Sequence, residues 1–336
     1  MLSIAPNRDQ YGGVQGDHPP AKGGCKMPVY SIIIPCYNEQ EVLRETHRRM
    51  TKVMQQMGES YELIYVNDGS RDKTGEILED ICREDRNAKA VMFARNGGHQ
   101  IAVSAGLDYA SGDAIVIIDA DLQDPPEVIP DMARRWKDGA QVVYGKRKKR
   151  DGETFFKKFT ASVYYKSINK LTKGMVPRDT GDFRLVDKQV ADVIRSMPEH
   201  ARFLRGMFAW AGFKQEAFLY DRDKRFAGET HYPLKKMLKL AADGVFSFSV
   251  TPLKAAWVCG LGWIALGGLI AFVLLCCLLF GVQGGMWWLA SLISILGGNI
   301  LVCVGIAGEY IGRIYDDVRG RPLYVVGRTL NFDKAE

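Results

Sequence analysis

Asp119 and Asp121 flank a single residue directly after an apolar run at 114–118. Two carboxylates at that spacing, on the end of a buried strand, can hold a hard divalent cation, Mg2+ or Mn2+, which in turn bridges to a diphosphate. Gln123 can add a carbonyl oxygen. An acidic pair in a turn is ordinarily just solvated, so this one takes its meaning from its company. Two other short apolar runs also end in polar clusters: 30–34 runs into Pro35-Cys36-Tyr37-Asn38-Glu39, and 61–66 runs into Asn67-Asp68-Gly69-Ser70. No GxGxxG and no GxxxxGK[ST] occurs in these turns. A dinucleotide fold or a P-loop is therefore disfavoured, and a cation is left to hold the phosphates.

These clusters meet only if the elements behind them form one parallel sheet. Between 28 and 232, short apolar runs alternate with stretches of helical periodicity. The pattern predicts strands at 30–34, 61–66, 90–93, 114–118 and 142–144, and helices over 41–57, 73–83 and 100–110. Such alternation implies an α/β domain with helices on both faces of a mostly parallel sheet. The carboxyl ends of parallel strands share one edge, and ligands bind there.

From 255 to 308 the chain carries no charged residue. The run divides at Gly281-Val282-Gln283-Gly284-Gly285 into 257–280 and 286–308, each long enough to cross about 30 Å of hydrocarbon. Lys235, Lys236, Lys239 and Lys254 precede this hairpin and Arg313, Arg319, Arg321 and Arg328 follow it, while the turn is uncharged. Positive residues stay inside, so both termini are expected in the cytoplasm of a two-pass protein of the plasma (inner) membrane. Trp287 and Trp288 suit the outer interface. The expected domains are a disordered tail at 1–27, a catalytic domain at 28–232, an amphipathic juxtamembrane segment at 233–254, the hairpin at 255–308 and a cytoplasmic tail at 309–336. The stretch 154–173, basic and aromatic, reads equally as a membrane-surface or a core-packed helix. A formal charge of +6 fits an anionic partner without choosing among them. The basic run Lys146-Arg147-Lys148-Lys149-Arg150 has no nucleic-acid motif beside it, so lipid headgroups are the better match. Seven cysteines without CxxC or ligand-like spacing argue against a disulfide framework or structural zinc.

The ordered set of motifs resembles inverting glycosyltransferases of the GT-A fold, within them the polyprenyl-phosphate glycosyltransferases, and most closely the bactoprenol glucosyltransferases. Added to the three strand ends are Asp179-Thr180-Gly181-Asp182-Phe183-Arg184-Leu185, Arg202-Phe203-Leu204-Arg205-Gly206, Arg225-Phe226-Ala227-Gly228-Glu229-Thr230, and Gly308-Glu309-Tyr310-Ile311-Gly312-Arg313-Ile314-Tyr315. The resemblance implies that Pro35, Tyr37, Glu39 and Asp68 line the nucleotide pocket and that Asp119, Asp121 and Gln123 hold the metal. It makes Asp182 the family's candidate base near the acceptor. It also places Arg147, Arg184, Arg202, Arg205, Arg225 and His231 near phosphate. The chain departs from the pattern at Asn67, where an aspartate is common, and at His231, where a lysine is common.

The implied reaction is transfer of one sugar from a nucleotide-sugar, first a UDP-sugar such as UDP-glucose, to polyprenyl (undecaprenyl) phosphate. A phosphate monoester is already largely ionised near neutral pH, so Asp182 either takes a last proton or only orients the acceptor. A processive polysaccharide synthase of the same fold is the alternative within enzymes, although its Gln-x-x-Arg-Trp segment and additional membrane helices are missing here. A non-catalytic membrane scaffold is the alternative outside enzymes, and the intact acidic residues argue against it. Homo-oligomerisation stays open.

Overall fold

The computed structural model describes residues 28–147, 180–222, 251–280 and 287–332. Arg225, His231, the stretches 154–173 and 233–250, the N-terminal tail and the hairpin turn lie outside them.

The elements run β1 (Tyr30–Cys36), α1 (Leu43–Met57), β2 (Tyr61–Asn67), α2 (Thr74–Glu84), β3 (Ala88–Phe93), α3 (His99–Tyr109), β4 (Ala114–Ile117) and, after a 3-10 turn at Pro126–Val128, α4 (Ile129–Lys137). There follow β5 (Val142–Arg147), β6 (Thr180–Asp187), α5 (Lys188–Ser196), α6 (Leu204–Trp210), β7 (Gln215–Tyr220), α7 (Thr251–Leu279), α8 (Trp287–Val318) and β8 (Val326–Leu330). All eight strands join one sheet in the order β7-β5-β6-β4-β1-β2-β3-β8. β4, β1, β2 and β3 are mutually parallel, as are β5 and β7, while β6 and β8 run antiparallel to their neighbours.

The central strands β1–β4 are buried on both faces, which is why they read as nearly continuous apolar runs, while the edge strands β7 and β8 are largely half-buried or exposed. Alternate residues of β1 feed two separate cores. Tyr30, Ile32 and Ile34 pack with Leu43, Met50 and Met54 of α1, Leu78 and Ile81 of α2, and Met132 of α4. Ile33 faces the other way, against Val103 and Leu107 of α3, Ile194 of α5 and Phe208 of α6. Gly106 lets α3 approach this closely, because a Cβ there would meet Ile33 Cγ2 at 2.2 Å.

Helices α7 and α8 are exposed along their lengths, with Trp257, Ile264, Leu279 and Leu301 all largely uncovered. Within them Pro252–Ile270 and Ile295–Val318 each reach a mean hydropathy of 1.6 and are long and apolar enough to cross a membrane. The segment after the hairpin does not trail free. α8 continues to Val318, and β8 then adds to the edge of the sheet beside β3. Tyr324 stacks on Phe93 at 5.1 Å and its hydroxyl donates to Asp108, and Asn331 Nδ2 donates to the carbonyls of Cys82, Asp85 and Ala88.

Candidate active site

The parallel strands deliver their polar ends to one edge. The β1 and β2 loops are laced together: Asn38 N donates to Ser70 Oγ, Glu39 N to Thr74 Oγ1, Gln40 N to Asp72 Oδ2, and Arg71 N to Asn38 Oδ1. Pro35 is buried in β1 opposite Val66, and Tyr37 is 39% exposed beyond it. Glu39 is half-buried at the start of the lacing.

Asp68 is buried, and its carboxylate is spent on the next loop. It accepts from Gly97 N at 2.6 Å, Gly98 N at 2.9 Å and Asn96 Nδ2 at 2.9 Å. Burial raises its pKa and the two backbone donors oppose that rise. Asn67, in the position where the resemblance leads one to expect an aspartate, uses its Oδ1 to accept from Ser70 N. Gly69 sits at φ +64°, and a Cβ there would meet Asn96 N at 2.7 Å, so only glycine allows the two loops to touch.

Asp119 and Asp121 leave β4 at the centre of the edge. The loop carrying them is held from below by Thr46 of α1, whose hydroxyl lies 2.7 Å from Ala120 O. Leu122, buried, adopts φ +56°, an uncommon conformation for a side chain of that size. It turns the chain so that Gln123 N donates to Asp121 Oδ1 at 3.1 Å. Asp124, 2% exposed, accepts from Tyr220 Oη at 2.5 Å and pairs with Arg222 at 3.4 Å.

Asp182 reaches the same cleft from β6. Arg205 of α6 clasps both of its oxygens, Nε to Oδ1 at 2.7 Å and Nη2 to Oδ2 at 3.0 Å, a fork-to-fork pair. His99, the first residue of α3, puts Nε2 3.4 Å from Asp182 Oδ2 and 3.7 Å from Asp119 Oδ1. Gln100 ties the arrangement together: its Oε1 accepts from Leu204 N, and its Nε2 lies 3.5 Å from Asp182 Oδ2.

The electrostatics follow. Burial alone would raise the Asp182 pKa, but Arg205 and His99 outweigh it and hold the carboxyl well below its usual range. Burial likewise works against a charged His99, yet Asp119 and Asp182 together push its pKa up to about 9. Asp119 is pushed up to about 6, chiefly by burial, with Asp182, Asp124 and Asp121 adding negative charge and His99 opposing. A cluster of acids that burdens its own central carboxylate in this way fits a cation. Among the described residues no three His, Cys, Asp or Glu side chains close a metal site by themselves. Two carboxylates and an amide suit an ion whose remaining ligands come from substrate phosphates and water.

The other expected arginines are placed differently. Arg184, 4% exposed, lies under the cleft, with Nη2 donating to Gly181 O, Nε 3.3 Å from Asp182 O, and its guanidinium 4.5 Å from the Phe208 ring. It braces the backbone that presents Asp182. Arg147 ends β5 beside Gly181, with a buried Nε that has no partner among the described residues. Arg202 donates to the carbonyls of Ile194 and Met197 at the end of α5, beside Asp108 at the far end of α3 from His99. Nine residues of helix place that end about 14 Å from the cleft. The structure thus brings Asp119, Asp182 and Arg205 together and keeps Arg202 apart. His99, Gln100, Asn96 and Asp124 were not foreseen. The first three follow β3, whose end lies on the same edge and obeys the same rule as the other three strand ends.

Residues 31–195 match glycosyl transferase family 2. The glycosyltransferase YkcC of Bacillus subtilis is 50% identical over 307 residues, covering 90% of this chain and 95% of that protein. The chain belongs to this family. The bactoprenol glucosyl transferase of Shigella phage SfII is 36% identical over 302 residues, 89% of this chain and 97% of its own. Among solved structures, glucosyl-3-phosphoglycerate synthase from Mycobacterium tuberculosis, in complex with Mn2+, UDP and its product, is 19% identical with a TM-score of 0.45 over 65% of this chain and 78% of its own. The protein is a glycosyltransferase of GT-A fold, with a mostly parallel sheet and two apolar helices near the C-terminus.

Proposed function

We propose that this glycosyltransferase moves a single sugar, with inversion, from a nucleotide-sugar to polyprenyl phosphate at the cytoplasmic face of the plasma membrane, yielding a polyprenyl-phosphate sugar for cell-envelope glycan modification. UDP-glucose is the first donor to test. The observation that carries the reading is one chain holding both an acidic cleft with an arginine-clasped Asp182 and two exposed helices of membrane-spanning character. The 36% identity to bactoprenol glucosyl transferases along nearly their whole length supports the same acceptor.

A Mg2+ or Mn2+ ion held by Asp119, Asp121 and Gln123 would supply positive charge to the leaving diphosphate. The chain's own residues do the rest. The laced β1 and β2 loops with Pro35, Tyr37 and Glu39 form the wall for the nucleoside, and Asp68 holds that wall to the 96–98 loop. The acceptor's phosphate oxygen attacks the anomeric carbon from the face opposite the diphosphate, so a carbon–oxygen bond forms as another breaks. The nucleophile is largely ionised near neutral pH, so no strong base is required of the protein. Arg225 and His231 remain expected phosphate contacts.

The experiment offers the purified protein each of several nucleotide-sugars with polyprenyl phosphate, with unphosphorylated polyprenol and with soluble sugars. Only polyprenyl phosphate should become glycosylated. Efficient transfer to the polyprenol or to a soluble sugar overturns the reading.

A further inference from the structure

An acceptor phosphate entering this cleft meets Asp119, Asp121, Asp124 and Asp182, four carboxylates that would repel it. Something must receive a dianion in their midst. The structure offers two donors, one on each side of Asp182. Arg205 holds it from α6 through two short hydrogen bonds. His99 lies on the other side, at the start of α3, and its Nε2 stands between Asp182 and Asp119 at 3.4 and 3.7 Å. Both separations are longer than an optimal hydrogen bond; Asp182 is the nearer partner, and the ring interacts with both carboxylates without being fully enclosed by them. The His99 side chain keeps 29% of its surface exposed and that of Arg205 24%, against 15% for Asp182. The donors therefore face the cleft more than the acid does. Gln100 fixes their spacing by bonding α3 to the first turn of α6.

A carboxylate clasped at both oxygens makes a poor base, since taking a proton would break the fork with Arg205. We propose that His99 and Arg205 form the subsite for the acceptor's phosphate monoester, and that Asp182 is the positioning residue that sets them rather than the base. This rests on the reading of the acceptor as a lipid phosphate. The location suits it: His99 stands between the Asp119 side, where the donor's diphosphate belongs, and the Asp182 side, so a phosphate bound there lies beside the sugar it attacks. Phosphate oxygens also belong to the donor, and the test separates the two sources.

The test measures steady-state transfer by the full-length protein with varied polyprenyl phosphate and, separately, varied nucleotide-sugar, alongside direct nucleotide binding. His99→Ala should raise the KM for polyprenyl phosphate about tenfold or more, the loss of one charge-assisted hydrogen bond. Nucleotide affinity should change far less than the acceptor KM. His99→Lys, which again offers an N–H donor to an anion, should restore much of the acceptor KM. A merely structural histidine would not be rescued in this way. Should His99→Ala fail to fold, His99→Phe, which keeps a ring and lacks the N–H, carries the same measurement. Weakened nucleotide binding with an unchanged acceptor KM would assign the ring to the donor and overturn the proposal. A fall in kcat alone, at constant acceptor KM, would also overturn it. Wild-type protein that ignores polyprenyl phosphate would instead refute the acceptor assignment itself.

Discussion

Acidification should loosen the donor through Asp119 at a pH where ordinary aspartates are indifferent. The group's pKa, normally 3.8, is pushed up to about 6. A proton and a divalent cation compete for the same oxygens, so the cation's affinity follows the ionised fraction. That fraction is about 90% at pH 7 and about 10% at pH 5 for a pKa near 6, which makes a loss approaching tenfold between the two. An aspartate at 3.8 would lose only about 6% over the same span. Solvent reaching the 36% of the Asp119 side chain that is exposed can pull the midpoint from 6 toward the ordinary value, so tenfold is the upper bound. Stability should move in the opposite sense. A carboxyl whose folded pKa lies above its unfolded one binds more protons when folded, so the ion-free protein gains stability as pH falls from 7 toward 4. The assay is Mn2+-dependent binding of a nucleotide-sugar from pH 5 to 8, with melting temperatures of the ion-free protein. A nucleotide-sugar is chosen because its diphosphate, esterified at both ends, has no proton to exchange in this range. In the binding assay His99 and Asp182 keep their charges across this range, being displaced to about 9 and to well below the usual carboxylate range. In the melting assay their unfolded forms titrate near 6.5 and 3.8, so the Asp119 contribution is read as the difference between the wild type and Asp119→Asn. Affinity that is flat between pH 5 and 7, or stability that rises with pH through this window on account of Asp119, would refute the reasoning.

Asp121→Ala should abolish transfer, and an excess of chelator should do the same to the wild type; full turnover in chelator would remove the metal from the mechanism. Gly69→Ala forces a side chain to φ +64° and into the Asn96 backbone, so it should cost about 1–3 kcal/mol and weaken nucleotide binding, read by melting temperature and titration. Glu62, 2% exposed at the opposite edge of the sheet, accepts from Ser31 Oγ, Ser111 N and Oγ, and Lys89 Nζ. Glu62→Ala should therefore destabilise the fold by about 3–5 kcal/mol while leaving KM unchanged in the folded fraction. Single cysteines placed at 10 and at 334, in a background without reactive native cysteines, should be labelled only from the cytoplasmic side; outside labelling of either would overturn the topology.

The sequence made the central strands legible because their burial on both faces writes unbroken apolar runs, and because polar residues follow each run at once. It hides β6, whose residues read as a motif and not as a strand. Arg184 stands in its middle, and an arginine in a strand reads as exposed. Here it is buried, its charge spread over the carbonyls of Gly181 and Asp182 and over the Phe208 ring, and such satisfaction is tertiary. The same holds for Asp68, read as a nucleotide contact from its place after β2. Its carboxylate is engaged by backbone donors some thirty residues on. His99 escaped because Asn96-Gly97-Gly98 reads as a plain turn. Nothing in a linear pattern says that the turn places an imidazole between two acids from different strands.

β8 bears on the membrane question in a way the charge pattern cannot. It pairs with β3, and the chain between β7 and β8 contains both apolar helices. A strand can join a sheet only from the same side of the bilayer, so the chain must cross an even number of times between Tyr220 and Val326. Two helices of spanning length satisfy that count. The contacts at the exit of α8 add weight: His200 N donates to Asp317 Oδ1, and His200 Nε2 meets Arg321 O, tying the helix end to the segment that leads into α6. The same exit runs through Tyr324 and Val325, whose carbonyl accepts from Ala94 N, directly before the loop that carries His99. On the proposed reading of the acceptor as a lipid phosphate, the cleft has to be held at a fixed height above the bilayer. A tail that leaves the second helix and binds beside that cleft supplies such a strut.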